Sequence, residues 1–283
     1  MTQAIRAALA AATRALGEGP DASGTPRLDA ELLMAHALGC ARETLLLSRL
    51  DDPAPAGFAA LLARRLAGEP VAYIVGRRDF WTIDLAVGPG VLIPRPDSET
   101  LIEAAVDHFG AKGPASVLDL GTGPGTLLLA ALAEWPAARG LGIDVSPVAL
   151  EQARGNAARL GLAARARFAL GDWAHGITGR FDLVLCNPPY VETGARLPRD
   201  VADHEPAAAL HAGTDGLDAY RRLAPMLGRL IAPGGMAAVE IGAAQAAAVR
   251  ALLAAEGLAA TVRRDLAGRD RCLIVAAPPA GAV

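Results

Sequence analysis

The chain has 283 residues, 52% of them apolar, enough for one large α/β domain with a core of its own and a small accessory one. A formal charge of −3 provides no global field for a polyanion, although pairs such as Arg64-Arg65, Arg77-Arg78 and Arg263-Arg264 could touch phosphate locally. Lys112 is the one lysine among 27 basic residues, a bias of composition that carries no functional weight.

Cys40, Cys186 and Cys272 lie far apart in apolar surroundings with no CxxC spacing, and the five histidines are dispersed. They read as buried thiols in a reducing cytoplasm, with no metal site. Arg6 and Arg14 interrupt the first apolar residues at amphipathic spacing, and no cleavage pattern or spanning run follows. Neither a leader nor a membrane segment is expected.

From Thr2 to about Gly68 apolar residues recur by threes and fours, as at Ile5, Leu9 and Leu16, with breaks at 17–26 and 51–55. Residues 1–70 are therefore expected to be a small helical domain. Between Pro70 and Gly90 the β-formers Val71, Tyr73, Ile74, Val75, Phe80, Trp81, Ile83, Leu85 and Val87 predict a β-hairpin, and 71–96 is expected to link two domains. Beyond it, 97–283 alternates helices with strands at 116–120, 140–144, 167–170, 181–186, 235–241, 259–264 and 271–276. Such alternation predicts a mostly parallel, doubly wound sheet whose ligand sits beyond the carboxyl ends of its strands.

The first of these strands runs into Gly121-Thr122-Gly123-Pro124-Gly125, a turn in which backbone can approach a ligand closely or which is simply tight. Asp144, ending the second strand, stands where an acidic residue accepts ribose hydroxyls. The GxGxG spacing and Pro124, which lacks an amide donor, favour a phosphate-free nucleoside over a dinucleotide. Asp172 and Trp173 offer an acceptor and an apolar face for adenine, or Trp173 is core. Asp119 either faces a cationic ligand or caps the turn.

Phe181 to Cys186 ends in Asn187-Pro188-Pro189-Tyr190. Two prolines forbid further ladder donors and leave outward carbonyls, Asn187 adds a side-chain oxygen, and Tyr190 adds a ring on which a flat group can stack. Unless it is only a rigid turn, this is a clamp for a planar NH2 group.

In this order, DLGTGPG, GIDVSP, GDW and NPPY resemble the S-adenosylmethionine-dependent methyltransferases of planar amino nitrogens. LDAELLMAHALG, EPVAYIVGRRDFW, VLIPRPDSETLIE, EPAAALHAGTDGLDAYRRL and RDLAGRDR extend the similarity, across nearly the whole chain, to the HemK-type (PrmC) peptide chain release factor glutamine methyltransferases. The resemblance implies a Rossmann-like seven-stranded sheet, with cofactor held by Gly121, Thr122, Gly123, Pro124, Gly125, Asp144, Asp172, Trp173 and Asn187. It also implies that Asn187, Pro188, Pro189 and Tyr190 hold the glutamine of the release-factor GGQ loop, with Asn187, Pro188 and Tyr190 catalytic. Pro124, Asp97-Ser98-Glu99 and His204 depart from the family's usual residues. A cytoplasmic monomer that recognises protein through its helical domain is expected, without stable nucleic-acid binding. A ribosomal-protein glutamine, a nucleic-acid amine, or a cofactor-binding scaffold without catalysis are the competing readings.

Overall fold

A computed structural model describes residues 3–18 and 22–277. Thr2, residues 19–21 of the first break and residues 278–283 lie outside them. The chain forms two compact units, Met1–Arg77 with Arg196–Glu205, and Arg78–Ala195 with Pro206–Val283.

In the first unit the helices Ile5–Gly17, Pro26–Leu38, Arg42–Ser48 and Phe58–Leu66 enclose Ile5, Leu9, Leu33, Met34, Leu45 and Phe58. Pro26 starts the second helix and Gly39, in the left-handed conformation, ends it by donating to the Ala35 and His36 carbonyls. Two buried carboxylates face this core and both are paired. Asp29 accepts from Ser23, Thr25 and Arg65, and Glu31 from Arg27 and Arg42. Arg65 also pairs with Asp200, which ties 196–205 to this unit.

Val71–Val75, expected to be strand, is a short helix capped by Gly76. Its apolar residues at 71, 74 and 75 have helical spacing and pack on the helical core, which outweighs their β preference. The hairpin is thus confined to β1 (Arg77–Phe80) and β2 (Ile83–Ala86). Trp81 turns it at φ 54°, held by its N–H to Glu99 and its indole N–H to Glu134, both at 2.8 Å.

The second unit is built on a seven-stranded sheet of β3 (Ser116–Leu120), β4 (Arg139–Asp144), β5 (Ala166–Leu170), β6 (Phe181–Cys186), β7 (Ile231–Glu240), β8 (Thr261–Arg264) and β9 (Asp270–Ala276). Its order is β5-β4-β3-β6-β7-β9-β8, parallel except where β9 meets β7 and β8. The doubly wound α/β fold expected from the alternation is the observed one. Central β3 is buried on both faces, so it reads as a continuous apolar run broken by Asp119. The chain winds outward from β3 through β4 to β5 and returns to pair β6 on the other side of β3. That reversal opens a crevice at the carboxyl ends of β3, β4 and β6.

Candidate active site

A cavity of about 580 Å³ occupies this crevice. Gly121, Thr122, Gly123, Pro124, Asp144, Asp172, Trp173, Asn187 and Pro189 all line it, so one site gathers residues from the ends of four strands. Gly125 does not line it. At φ +90° it begins the helix Thr126–Glu134, and a Cβ there would meet Leu129 at 2.7 Å. Pro188 and Tyr190 border a second, smaller cavity of about 50 Å³ instead. Gly90, Val91, Leu92, Pro94 and Arg95, which follow the hairpin, supply a wall that the sequence reading gave no role.

At the end of β3, Gly121 has φ +71°, and the N–H groups of Gly121 and Thr122 both donate to the Ile143 carbonyl at 2.9 Å. A Cβ on Gly121 would lie 3.9 Å from the Trp173 ring and 4.0 Å from the Asn187 carbonyl. The glycine turn, the tryptophan and the Asn-Pro-Pro-Tyr stretch thus converge where no side chain intervenes. Asp144 accepts from the Gly123 N–H at 2.8 Å through one oxygen and from the Ser146 N–H at 2.9 Å through the other. Each oxygen keeps a lone pair for a hydroxyl. Asp172 is ion-paired to Arg222 beside Trp173, whose φ of 51° is a strained value for a tryptophan.

Asp119 caps the turn, one of the two roles the sequence left open, and keeps one oxygen at the cavity for the other. Its Oδ2 accepts from Thr122 Oγ at 2.6 Å and from the Leu128 N–H at 3.1 Å, capping the turn, while its Oδ1 is buried without a hydrogen bond at the cavity wall. Burial pushes this carboxyl up to about 7 against those two hydrogen bonds. A cation entering the cavity would satisfy the orphaned oxygen. An acceptor for a cationic centre, free carboxylate lone pairs for hydroxyls, an apolar tryptophan face and no phosphate cradle together fit S-adenosylmethionine.

Asn187 is half-buried and donates through Nδ2 to Ser98 Oγ at 3.0 Å. Among the described residues nothing donates to its Oδ1 or to the Pro188 carbonyl, so two acceptors remain for a ligand. Tyr190 donates through its hydroxyl to Glu240 at 3.2 Å, and Gln245 Nε2 holds the Tyr190 carbonyl at 3.1 Å. Burial, with the neighbouring Glu240, pushes the Tyr190 phenol up. Ser98 and Glu240 are not among the residues that sequence motifs mark for the site. Glu240 is detectable as a carboxylate closing an apolar strand, whereas Ser98 gives no signal until the fold brings it to Asn187. Among the described residues no group of three or more His, Cys, Asp or Glu could hold a metal ion.

Residues 7–76 match the PrmC N-terminal domain family and residues 112–252 a methyltransferase domain family. The release factor glutamine methyltransferase of Rhodospirillum rubrum is 47% identical over 262 residues, 90% of this chain and 80% of the relative. The protein of that name from Moorella thermoacetica is 42% identical over 279 residues, 95% and 97% of the two chains. Among solved structures, a methyltransferase from Pyrococcus furiosus matches with a TM-score of 0.54 at 18% identity, over 78% of this chain and 99% of its own, a likeness of fold.

Proposed function

The chain belongs to the release factor glutamine methyltransferases, and on that premise we propose that it methylates the side-chain amide nitrogen (N5) of the glutamine in the GGQ loop of peptide chain release factors. It is an enzyme that uses S-adenosylmethionine and takes release factors as substrates. The observation that carries the reading is the approach of the Asn187 carbonyl to the Gly121 turn, which sets Asn187 of the amide clamp on the wall of the nucleoside cavity, with Pro188 and Tyr190 at the small cavity that shares Asn187.

Bound there, S-adenosylmethionine would supply a sulfonium-bound methyl electrophile and be left as a neutral thioether, with the proton displaced from the amide nitrogen released to solvent. The cofactor roles assigned to this chain are Asp144 for ribose, Trp173 and Asp172 for adenine, and the Gly121 turn for close approach. Asp119 is added to them for the cationic end. An amide nitrogen is a poor nucleophile because its lone pair is delocalised into the carbonyl, so placement matters more than a strong base. Asn187 Oδ1 and the Pro188 carbonyl each accept one amide hydrogen, and Tyr190 packs against the amide plane. Holding the nitrogen in line could supply several of the roughly 7–11 kcal/mol that proximity offers. The first unit recognises the release factor, and the enzyme works as a monomer in the cytoplasm. No helix among the described residues is long and apolar enough to cross a membrane.

Labelled S-adenosylmethionine incubated with release factor, ribosomal protein or nucleic acid tests the substrate. Label is expected on the release-factor glutamine alone, and Asn187→Ala is expected to lose transfer while binding cofactor within about twofold of wild type. Wild-type turnover by that variant would remove the clamp. Cross-links from release factor to the first unit are expected in the same mixtures, and their absence would remove its recognition role.

A further inference from the structure

Asn187 can serve as a clamp only if its amide points the right way, because the same side chain turned by 180° would present two donors to a substrate NH2 group. Something must therefore choose between the orientations. Nδ2 donates to Ser98 Oγ at 3.0 Å, so the serine oxygen acts there as acceptor and its own proton needs another acceptor. Ser98 lines the larger cavity but is only 2% exposed, so a protein acceptor within reach competes with water for that proton.

Glu240, itself 1% exposed, offers it. Tyr190 occupies its Oε1 at 3.2 Å, and Tyr220 donates to its backbone carbonyl at 2.9 Å rather than to its carboxylate. Oε2 is buried with no partner in full hydrogen-bond geometry, yet Ser98 acts on this carboxyl as a hydrogen-bonding neighbour. The Ser98 hydroxyl and Arg271 Nε, itself buried without a hydrogen-bond partner, are the remaining donors beside it, and the serine is the one of the two that also touches Asn187. Glu240 also lines the 50 Å³ cavity with Asn187, Pro188 and Tyr190. That cavity exceeds the ~10–15 Å³ a single water needs and shares Leu92, Arg95, Asn187 and Ala209 with the larger one. The carboxylate thus stands behind both side chains of the clamp.

Resting on the functional reading above, we propose that Glu240 is a positioning residue: its ionised carboxylate orients the Ser98 hydroxyl, which fixes the Asn187 amide with Oδ1 toward the substrate. When Glu240 is protonated its own hydrogen competes for Ser98 Oγ. The serine proton then turns toward Asn187, the amide rotates, and an NH2 group faces the substrate's NH2. Burial pushes Glu240 up to about 7, opposed by Ser98, Arg271 and Tyr190 and reinforced by Asp97. Cys186 on β6, Cys272 on β9 and Tyr220 also face it, each pushed up by burial and so neutral where Glu240 titrates.

Nitrogen-15 NMR of the Asn187 side-chain amide, assigned by its loss in Asn187→Asp, tests this without substrate. In the wild-type protein the NH2 pair is expected to shift in a single titration near pH ~7. Glu240→Gln should abolish that titration, Ser98→Ala should shrink it at least about threefold, and Ser98→Thr should keep it. A wild-type pair that does not titrate, or one that titrates unchanged in Glu240→Gln, overturns the proposal. In release-factor assays Glu240→Gln and Ser98→Ala should lower kcat by ~10–100-fold with cofactor affinity preserved, and the acid limb of the wild-type profile should be missing from Glu240→Gln. Wild-type kcat in both variants also overturns it. Failure of the wild type to methylate release factor would instead remove the functional reading, and the NMR result would still decide the role of Glu240.

Discussion

Asp144 carries two tasks with one carboxylate. It fixes the glycine turn through the Gly123 N–H and the start of the helix Pro147–Arg159 through the Ser146 N–H, and it keeps lone pairs that the proposed function gives to ribose. Asp144→Ala should therefore weaken cofactor binding by roughly 10–100-fold, the value of one or two hydrogen bonds to a charged group, as measured by calorimetry. Unchanged affinity would remove the ribose assignment. Asp119 differs in that one of its oxygens has no protein partner, so its burial is compensated only in part until a cation arrives. Both aspartates are visible in the sequence at strand ends. Which of them has a vacant oxygen depends on the helix that follows β3.

Among the elements, the hairpin and the glycine loop are braced by one side chain. Asn156, fully buried on the helix Pro147–Arg159, accepts from the Ala86 N–H at 2.8 Å and donates to the Ala86 carbonyl at 3.0 Å and the Pro124 carbonyl at 2.9 Å. Strand β2 and the cofactor turn are thus held to a common helix. Asn156→Ala strands the Ala86 N–H and the Pro124 carbonyl, while Gln152 still donates to the Ala86 carbonyl, and should cost about 2–4 kcal/mol in urea unfolding, with a loss of cofactor affinity as the loop relaxes. A change below about 0.5 kcal/mol would show that the brace carries no weight. Gly142 on β4 has a comparable reason, since a Cβ there would meet Thr122 Oγ at 2.8 Å and Phe168 at 2.9 Å. The helix at Val71–Val75 shows the limit of local preference, because its β-branched residues follow the core they pack on.

At the scale of the molecule, buried carboxyls set how stability depends on pH. Asp119 and Glu240 are each pushed up to about 7 by burial, so the folded chain binds more protons than the unfolded one between the ordinary carboxylate range and pH 7. Their contribution is full below that window and is lost as pH rises through it. Glu31 has the opposite sign. Burial raises its pKa, but hydrogen bonds and charge from Arg27 and Arg42 outweigh this and hold it low. Its contribution is present above about 4.5 and is lost as pH falls through its depressed value. The thermal midpoint should therefore be highest near pH ~4.5, fall by several degrees toward pH ~7 and change little beyond it through these groups. Binding S-adenosylmethionine should reduce that fall through Asp119. A midpoint that rises from pH ~4.5 to ~7 would contradict the raised carboxyls.

The alternation of helix and strand, the glycine turn after β3, Asp144 closing β4 and Asn187-Pro188-Pro189-Tyr190 closing β6 were readable from the chain alone. Each is a local pattern in which residue type and backbone demand coincide at one position. Tertiary structure alone decided that Gly125 and Pro188 stand back from the main cavity, that Arg196–Glu205 joins the first unit, that Ser98 meets Asn187 and that Glu240 meets Tyr190. These depend on contacts between residues up to 135 positions apart, as between Arg65 and Asp200. A buried polar group acquires its partner only when strand order brings distant segments together, and no local spacing encodes that meeting.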